Sequence, residues 1–245
     1  MAEYQNRVRS AAGTDVVIDE GLRSYMLRVY NYMLMGLALT GVTAWLTASV
    51  APIRNLFMTV AETGAFTLTP LGWIALFAPL GLVFFLSFRI HKMSLATAQM
   101  TFWFYAGLMG VSLTPILYIY TESSIARVFF ITAATFGAMS LYGYTTKRDL
   151  SGFGSFLFMG LIGIIIASLV NLFMQSNMMT WIISVAGVLI FTGLTAYDTQ
   201  QIKQEYHVND DGSLSGKKSI MGALRLYLDF VNLFLMLLRL MGDRR

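Results

Sequence analysis

A chain of 245 residues in which 56% of side chains are hydrophobic and only 12% charged is too apolar for a water-soluble domain, where about 25% are charged. The net charge of +4 is small and reads as the basic bias of one membrane face rather than a nucleic-acid surface. The absence of cysteine excludes disulfides and thiolate metal sites. The two histidines, His91 and His207, fall near expected helix ends and make a zinc centre a poor reading.

Residues 1–24 are polar and mixed in charge and do not form a cleavable signal. They are predicted to be a cytoplasmic tail ahead of a transmembrane domain over 25–245. Seven apolar segments follow, at about 26–50, 71–90, 98–120, 125–145, 153–174, 178–200 and 219–241, each near the ~20 residues a spanning helix needs. No Asp, Glu, Lys or Arg occurs between Asp149 and Asp198, enough for two spans. Lipid cannot satisfy an open backbone, and the runs lack the alternation of barrel strands, so helices are expected. The predicted fold is an all-α integral membrane protein, a seven-helix bundle.

The connections carry their own signals. Residues 51–70 form the longest loop on one side, and 208–218 a polar, turn-rich loop on the other. Pro79 and Pro115 fall within apolar segments, where proline kinks a helix. Ala133 with Gly137, Ala134 with Ala138, and Gly163 with Ala167 have the spacing of close helix contacts.

Lysine and arginine set the orientation. With a cytoplasmic N-terminus, the inside segments hold eleven basic residues: Arg7, Arg9, Arg23, Arg28, Arg89, Lys92, Lys147, Arg148, Lys203, Lys217 and Lys218. The outside loops hold two, Arg54 and Arg127. Arg239, Arg244 and Arg245 oppose this bias if the last segment crosses fully; the alternative is a segment that re-enters and returns. Its interior carries Arg225, Asp229 and Asn232, which suits a central helix shielded from lipid.

Asp198 and Asp229 are the most informative residues. A carboxylate within a span costs about 2.5–3.5 kcal/mol on insertion scales and usually marks an ion path, a proton relay or a buried pair. If the sixth helix ends near His207 and the seventh starts near Ser219, each lies roughly 14–15 Å above the hairpin base at the helical rise. An antiparallel pair then brings them level. Two carboxylates that meet out of water tend to hold one proton between them and titrate as a unit. A shared proton ties the helices; its loss leaves two like charges. Ionised, the same oxygens suit a transient Ca²⁺ contact. The structural alternative is a salt-bridge network. Arg225 stands four residues before Asp229 and Asn232 three after. Lys203 and Arg89 are further candidate partners.

Three stretches carry a resemblance: Phe84-Phe85-Leu86-Ser87-Phe88-Arg89-Ile90, then Thr195-Ala196-Tyr197-Asp198-Thr199-Gln200-Gln201-Ile202-Lys203, then Leu226-Tyr227-Leu228-Asp229-Phe230-Val231-Asn232-Leu233-Phe234. From about residue 24 onward the chain resembles the Bax inhibitor-1, or transmembrane Bax inhibitor motif, family, in the manner of a bacterial inner-membrane member. The resemblance implies six helices around a central seventh and a pH-dependent calcium leak. It also implies a paired-aspartate sensor at Asp198 and Asp229, with Arg89 competing for an aspartate; Tyr197, next to Asp198, is a further candidate supporting residue beside Arg225 and Asn232. Another bacterial branch is associated with a membrane-bound ATP-dependent protease as a regulator, so a non-transporting regulator is the alternative. The expected partners are the bilayer and Ca²⁺ or other cations; no cofactor is implied. An intramembrane aspartyl protease also places two aspartates on adjacent helices. Here Leu226-Tyr227-Leu228 precedes the second one in place of Gly-x-Gly, and no Pro-Ala-Leu element follows. The chain is therefore expected not to be an enzyme.

Overall fold

The structure, a computed structural model, describes residues 2–60 and 66–245, with side chains over 20–59 and 67–245. Most of the predicted tail, 1–24, lies outside the residues whose side chains are described. Among the described residues, seven helices are long and apolar enough to cross a membrane. They are α1 (Ala2–Ser49, crossing from Glu20), α3 (Pro70–Arg89), α4 (Leu95–Leu113), α6 (Glu122–Thr145), α7 (Ser151–Met174), α8 (Asn177–Gln204) and α9 (Gly212–Met241). The short helices α2 (Ala51–Phe57) and α5 (Ile116–Ile119) lie between them.

Local chemistry sets these ends. Thr69, Ser94, Thr121, Ser176 and Asp211 each accept a hydrogen bond from a backbone amide of the first turn that follows, satisfying donors a helix start otherwise leaves unpaired. Pro115 cannot extend the ladder, and α4 stops at Leu113 before the single turn of α5. Pro79 stays inside α3. The segment expected to be a plain loop over 51–70 instead holds α2 and a small antiparallel hairpin, β1 (Met58–Val60) with β2 (Phe66–Leu68).

Helix α9 is the centre of the bundle and the most buried of the seven spans, whereas α7 is the least buried. It packs against α8, α1, α6 and α4. Polar side chains stitch these helices. Tyr227 donates from its hydroxyl to Thr40 Oγ1 (2.6 Å), which donates to the Ala106 carbonyl (2.8 Å), joining α9, α1 and α4. A second chain runs from Tyr30 to Ser140 (2.6 Å), to Thr199 (3.0 Å), to the Thr195 carbonyl (2.7 Å), joining α1, α6 and α8. Such bonds count where apolar burial gives helices no net drive to associate.

Two expectations change. The 208–218 loop is shorter, because Asp211 caps α9 and the helix starts at Gly212. The stripes of small residues are not close contacts. Ala134, Gly137, Ala138 and Gly163 are exposed, and a Cβ on Gly137 or Gly163 would meet nothing within 4 Å. The inward stripe of α6 is Ser124, Val128, Thr132, Phe136, Ser140 and Gly143, where hydroxyls and a glycine face the core.

The last segment crosses fully. Its end is fastened to the face opposite the α8–α9 hairpin. There Thr121 donates to the Asp243 carbonyl (3.0 Å), Arg245 to the Ile119 carbonyl (3.0 Å), and Arg127 pairs with Asp243 (2.8 Å).

Candidate functional site

Four consecutive residues of α8 point to four different partners. The Tyr197 ring lies where a Cβ on Gly154 would stand, so that glycine lets α7 approach α8. Asp198 faces α9. Thr199 belongs to the hydroxyl chain from Tyr30. Gln200 clamps the α6–α7 connection, accepting from Leu150 N (2.8 Å) and donating to the Arg148 carbonyl (2.8 Å). The segment is thus a junction that fixes the position of Asp198.

The carboxyl groups of Asp198 and Asp229 meet within hydrogen-bonding reach between α8 and α9. Asp229 is almost wholly buried, at 4% exposure; Asp198 is half-buried. Among the described residues, no N–H or O–H donor reaches Asp229 Oδ2. A buried carboxyl oxygen left so is costly and is open to a proton, a water or a cation.

Both aspartates line a cavity of about 990 Å³. One wall is α3 (Leu76, Pro79, Leu80, Val83), another is α7 from Gly154 to Leu172, and the floor is α8 and α9, including Arg225, Asn232 and Tyr197. On α7 the lining spans roughly 27 Å at the helical rise, close to a hydrocarbon thickness of ~30 Å. The cavity occupies the flank of α9 that α8, α1, α6 and α4 leave open. Tyr105, its hydroxyl buried and without a hydrogen-bond partner among the described residues, also lines it.

Arg225 Nη1 donates to Glu205 Oε1 at 2.7 Å, so the cation one turn from Asp229 is committed to a third acid while acting electrostatically on both aspartates. Asn232 donates to the Leu228 carbonyl within its own helix (2.9 Å). Lys203 donates to the Tyr144 carbonyl (2.8 Å) and stands over the Tyr144 ring, so it does not serve the pair.

Arg89 is not brought to the site. It is exposed at the end of α3 and does not line the cavity. Val83, six residues earlier, is the last α3 residue on the cavity wall, which leaves Arg89 roughly 9 Å further along the axis. Sequence reasoning missed Glu205, whose only signal was an acid at the base of the sixth helix. No cluster of three or more His, Cys, Asp or Glu that could hold a metal occurs among the described residues. Two carboxylates fall short of the six to eight oxygens of a resident Ca²⁺ site.

The family model described as "Inhibitor of apoptosis-promoting Bax1" matches residues 22–245. The chain is 53% identical over 245 residues to protein RP147 of Rickettsia prowazekii, covering 100% of both chains. It is 49% identical over 230 residues to inner membrane protein YbhL of Escherichia coli K12, covering 92% of this chain and 94% of that one. It is 44% identical over 232 residues to a protein of Caulobacter vibrioides, covering 94% and 93%.

Proposed function

Because this chain is a multi-pass membrane protein of the Bax inhibitor-1 family, we propose that it is a proton-responsive cation leak, with Ca²⁺ as the leading cargo and the Asp198–Asp229 pair as its switch. The observation that carries the reading is the meeting of these two carboxyls on the floor of a cavity that follows α7 through most of the bilayer. With one proton shared, the pair is a hydrogen bond between α8 and α9. Without it, two like charges face each other in a poorly solvated place and repel, and their oxygens present hard ligands to a cation.

The proposed orientation puts the N-terminus and the α8–α9 hairpin in the cytoplasm of an inner membrane, with the C-terminus outside. The basic bias of the hairpin face supports this orientation. Ion flux through the purified protein in liposomes, measured from about pH 5 to about pH 8, tests the function. A Ca²⁺ flux that rises with pH is expected. No cation flux at any pH would discard the leak and leave a non-transporting regulator, with a membrane-bound protease as the partner to seek.

A further inference from the structure

The site cavity does not stand alone. A second pocket of about 470 Å³ lies at the hairpin end, among Ser87, His91, Lys217 and Glu205. The two spaces share three lining residues, Val83, Leu228 and Arg225. At that seam Arg225 Nη1 bonds Glu205 Oε1 at 2.7 Å, joining α9 to the residue that ends α8. The side chains are 39% and 32% exposed, so the pair is only partly sheltered where the two spaces adjoin. Glu205 is also held from behind, since Lys218 Nζ donates to its backbone carbonyl (2.9 Å) and to Asp210 (2.6 Å).

We propose that the Arg225–Glu205 ion pair is a barrier between the aspartate cavity and the hairpin-side water, closed on its remaining sides by Val83 and Leu228. This deepens the conducting reading of the cavity and rests on it. A cation moving from Asp198 and Asp229 into the hairpin-side space would pass Arg225 and Leu228, which line both spaces. A guanidinium locked across the seam repels a cation and fills the gap; released from Glu205, it leaves a carboxylate facing the path instead. The planar fork of arginine suits it to hold such a bridge between two helices. The aspartate pair and this ion pair then make two closures in series, one near the middle of α9 and one turn nearer the hairpin.

Thiol labelling tests the barrier without measuring ion flux. The chain has no cysteine, so Asn232→Cys gives a single reporter inside the cavity, and Ser168→Cys gives a second on α7. A membrane-impermeant cationic thiosulfonate is applied to the hairpin side in membrane vesicles of both orientations. With the ion pair intact, labelling is slow. Glu205→Gln and Arg225→Gln should each speed it by roughly tenfold, a shift in open population equivalent to about 1.4 kcal/mol. The exchange Glu205→Arg with Arg225→Glu should restore slow labelling. Arg127→Gln, which breaks an ion pair on the opposite face, should change nothing. Equal rates in all variants at both reporters, or no labelling in any, would overturn the barrier. A parent without cation flux would remove the leak, whatever the labelling shows.

Discussion

Arg225 stands one helical turn before Asp229, yet its guanidinium bonds Glu205 across the hairpin at 2.7 Å. The shortest route to neutralising Asp229, an ion pair within α9, is therefore not the one taken. Asp229 keeps Asp198 as its neighbour, and no donor among the described residues reaches its Oδ2. A cation is near enough to be felt by both aspartates without being spent on either.

If the aspartates act as one unit, Asp198→Asn and Asp229→Asn each remove most of the pH response of flux, and the double variant adds little to either. The coupling in a double-mutant cycle should be about 0.5–3 kcal/mol, the range for groups in direct contact. Flux through the four proteins in liposomes over a pH series measures it. A steep response surviving in the double variant rejects the sensor.

The two arginines should behave differently. Arg225→Gln removes a cation near two carboxyls, which favours their protonated form; the pH midpoint of flux should move upward. Arg89→Ala should leave it in place, because Arg89 lies outside the cavity. A midpoint shift in Arg89→Ala would reveal a second arrangement, in which the end of α3 reaches the pair.

Topology has a direct check. A protease site inserted after Asn209, in the turn between α8 and α9, should be cut only from the cytoplasmic side. A site appended after Arg245 should be cut only from the other side, because α9 crosses the full bundle and its end is fastened beside α5. Cutting of both sites from the same side contradicts the crossing.

Gly143 allows α6 to touch the α8 backbone. A Cβ there would overlap the Ala196 carbonyl, main chain rather than a yielding side chain. Gly143→Ala should cost about 1–3 kcal/mol, the usual range for overpacking, read as a lower unfolding midpoint in detergent. Gly137→Ala, at a position open to lipid, should cost nothing measurable and makes the paired control.

The spans were legible because hydrophobic length alone marks them, and the central helix because Arg225, Asp229 and Asn232 cannot face lipid. The level placement of the aspartates was also legible, although both helix ends used to infer it were misplaced. Helix α8 stops at Gln204 and α9 starts at Gly212, so the hairpin is uneven: the second turn of α9 comes level with the end of α8, where Lys218 meets Glu205. Side-chain direction was not legible. The alanine and glycine pairs of α6 looked like an interface, but the interface runs through Ser140, whose hydroxyl meets Tyr30 and Thr199, since in lipid a hydroxyl that finds a partner directs a helix face as firmly as a small side chain does. The place of Arg89 outside the cavity was not legible for a related reason: a motif fixes an order along the chain, not which wall of a cavity extends far enough to present a side chain.

The most buried of the seven crossing helices is the last in the chain. Synthesis runs from the N-terminus, so six helices enter the bilayer before their common core exists. Until α9 arrives, Thr40 lacks Tyr227 and the inner faces of α1, α4, α6 and α8 border an unfilled axis. Assembly of this bundle therefore ends with the insertion of its centre, and the carboxyl pair forms at that final step. A ribosome halted before α9 would leave a six-helix intermediate whose inner faces still lack their centre.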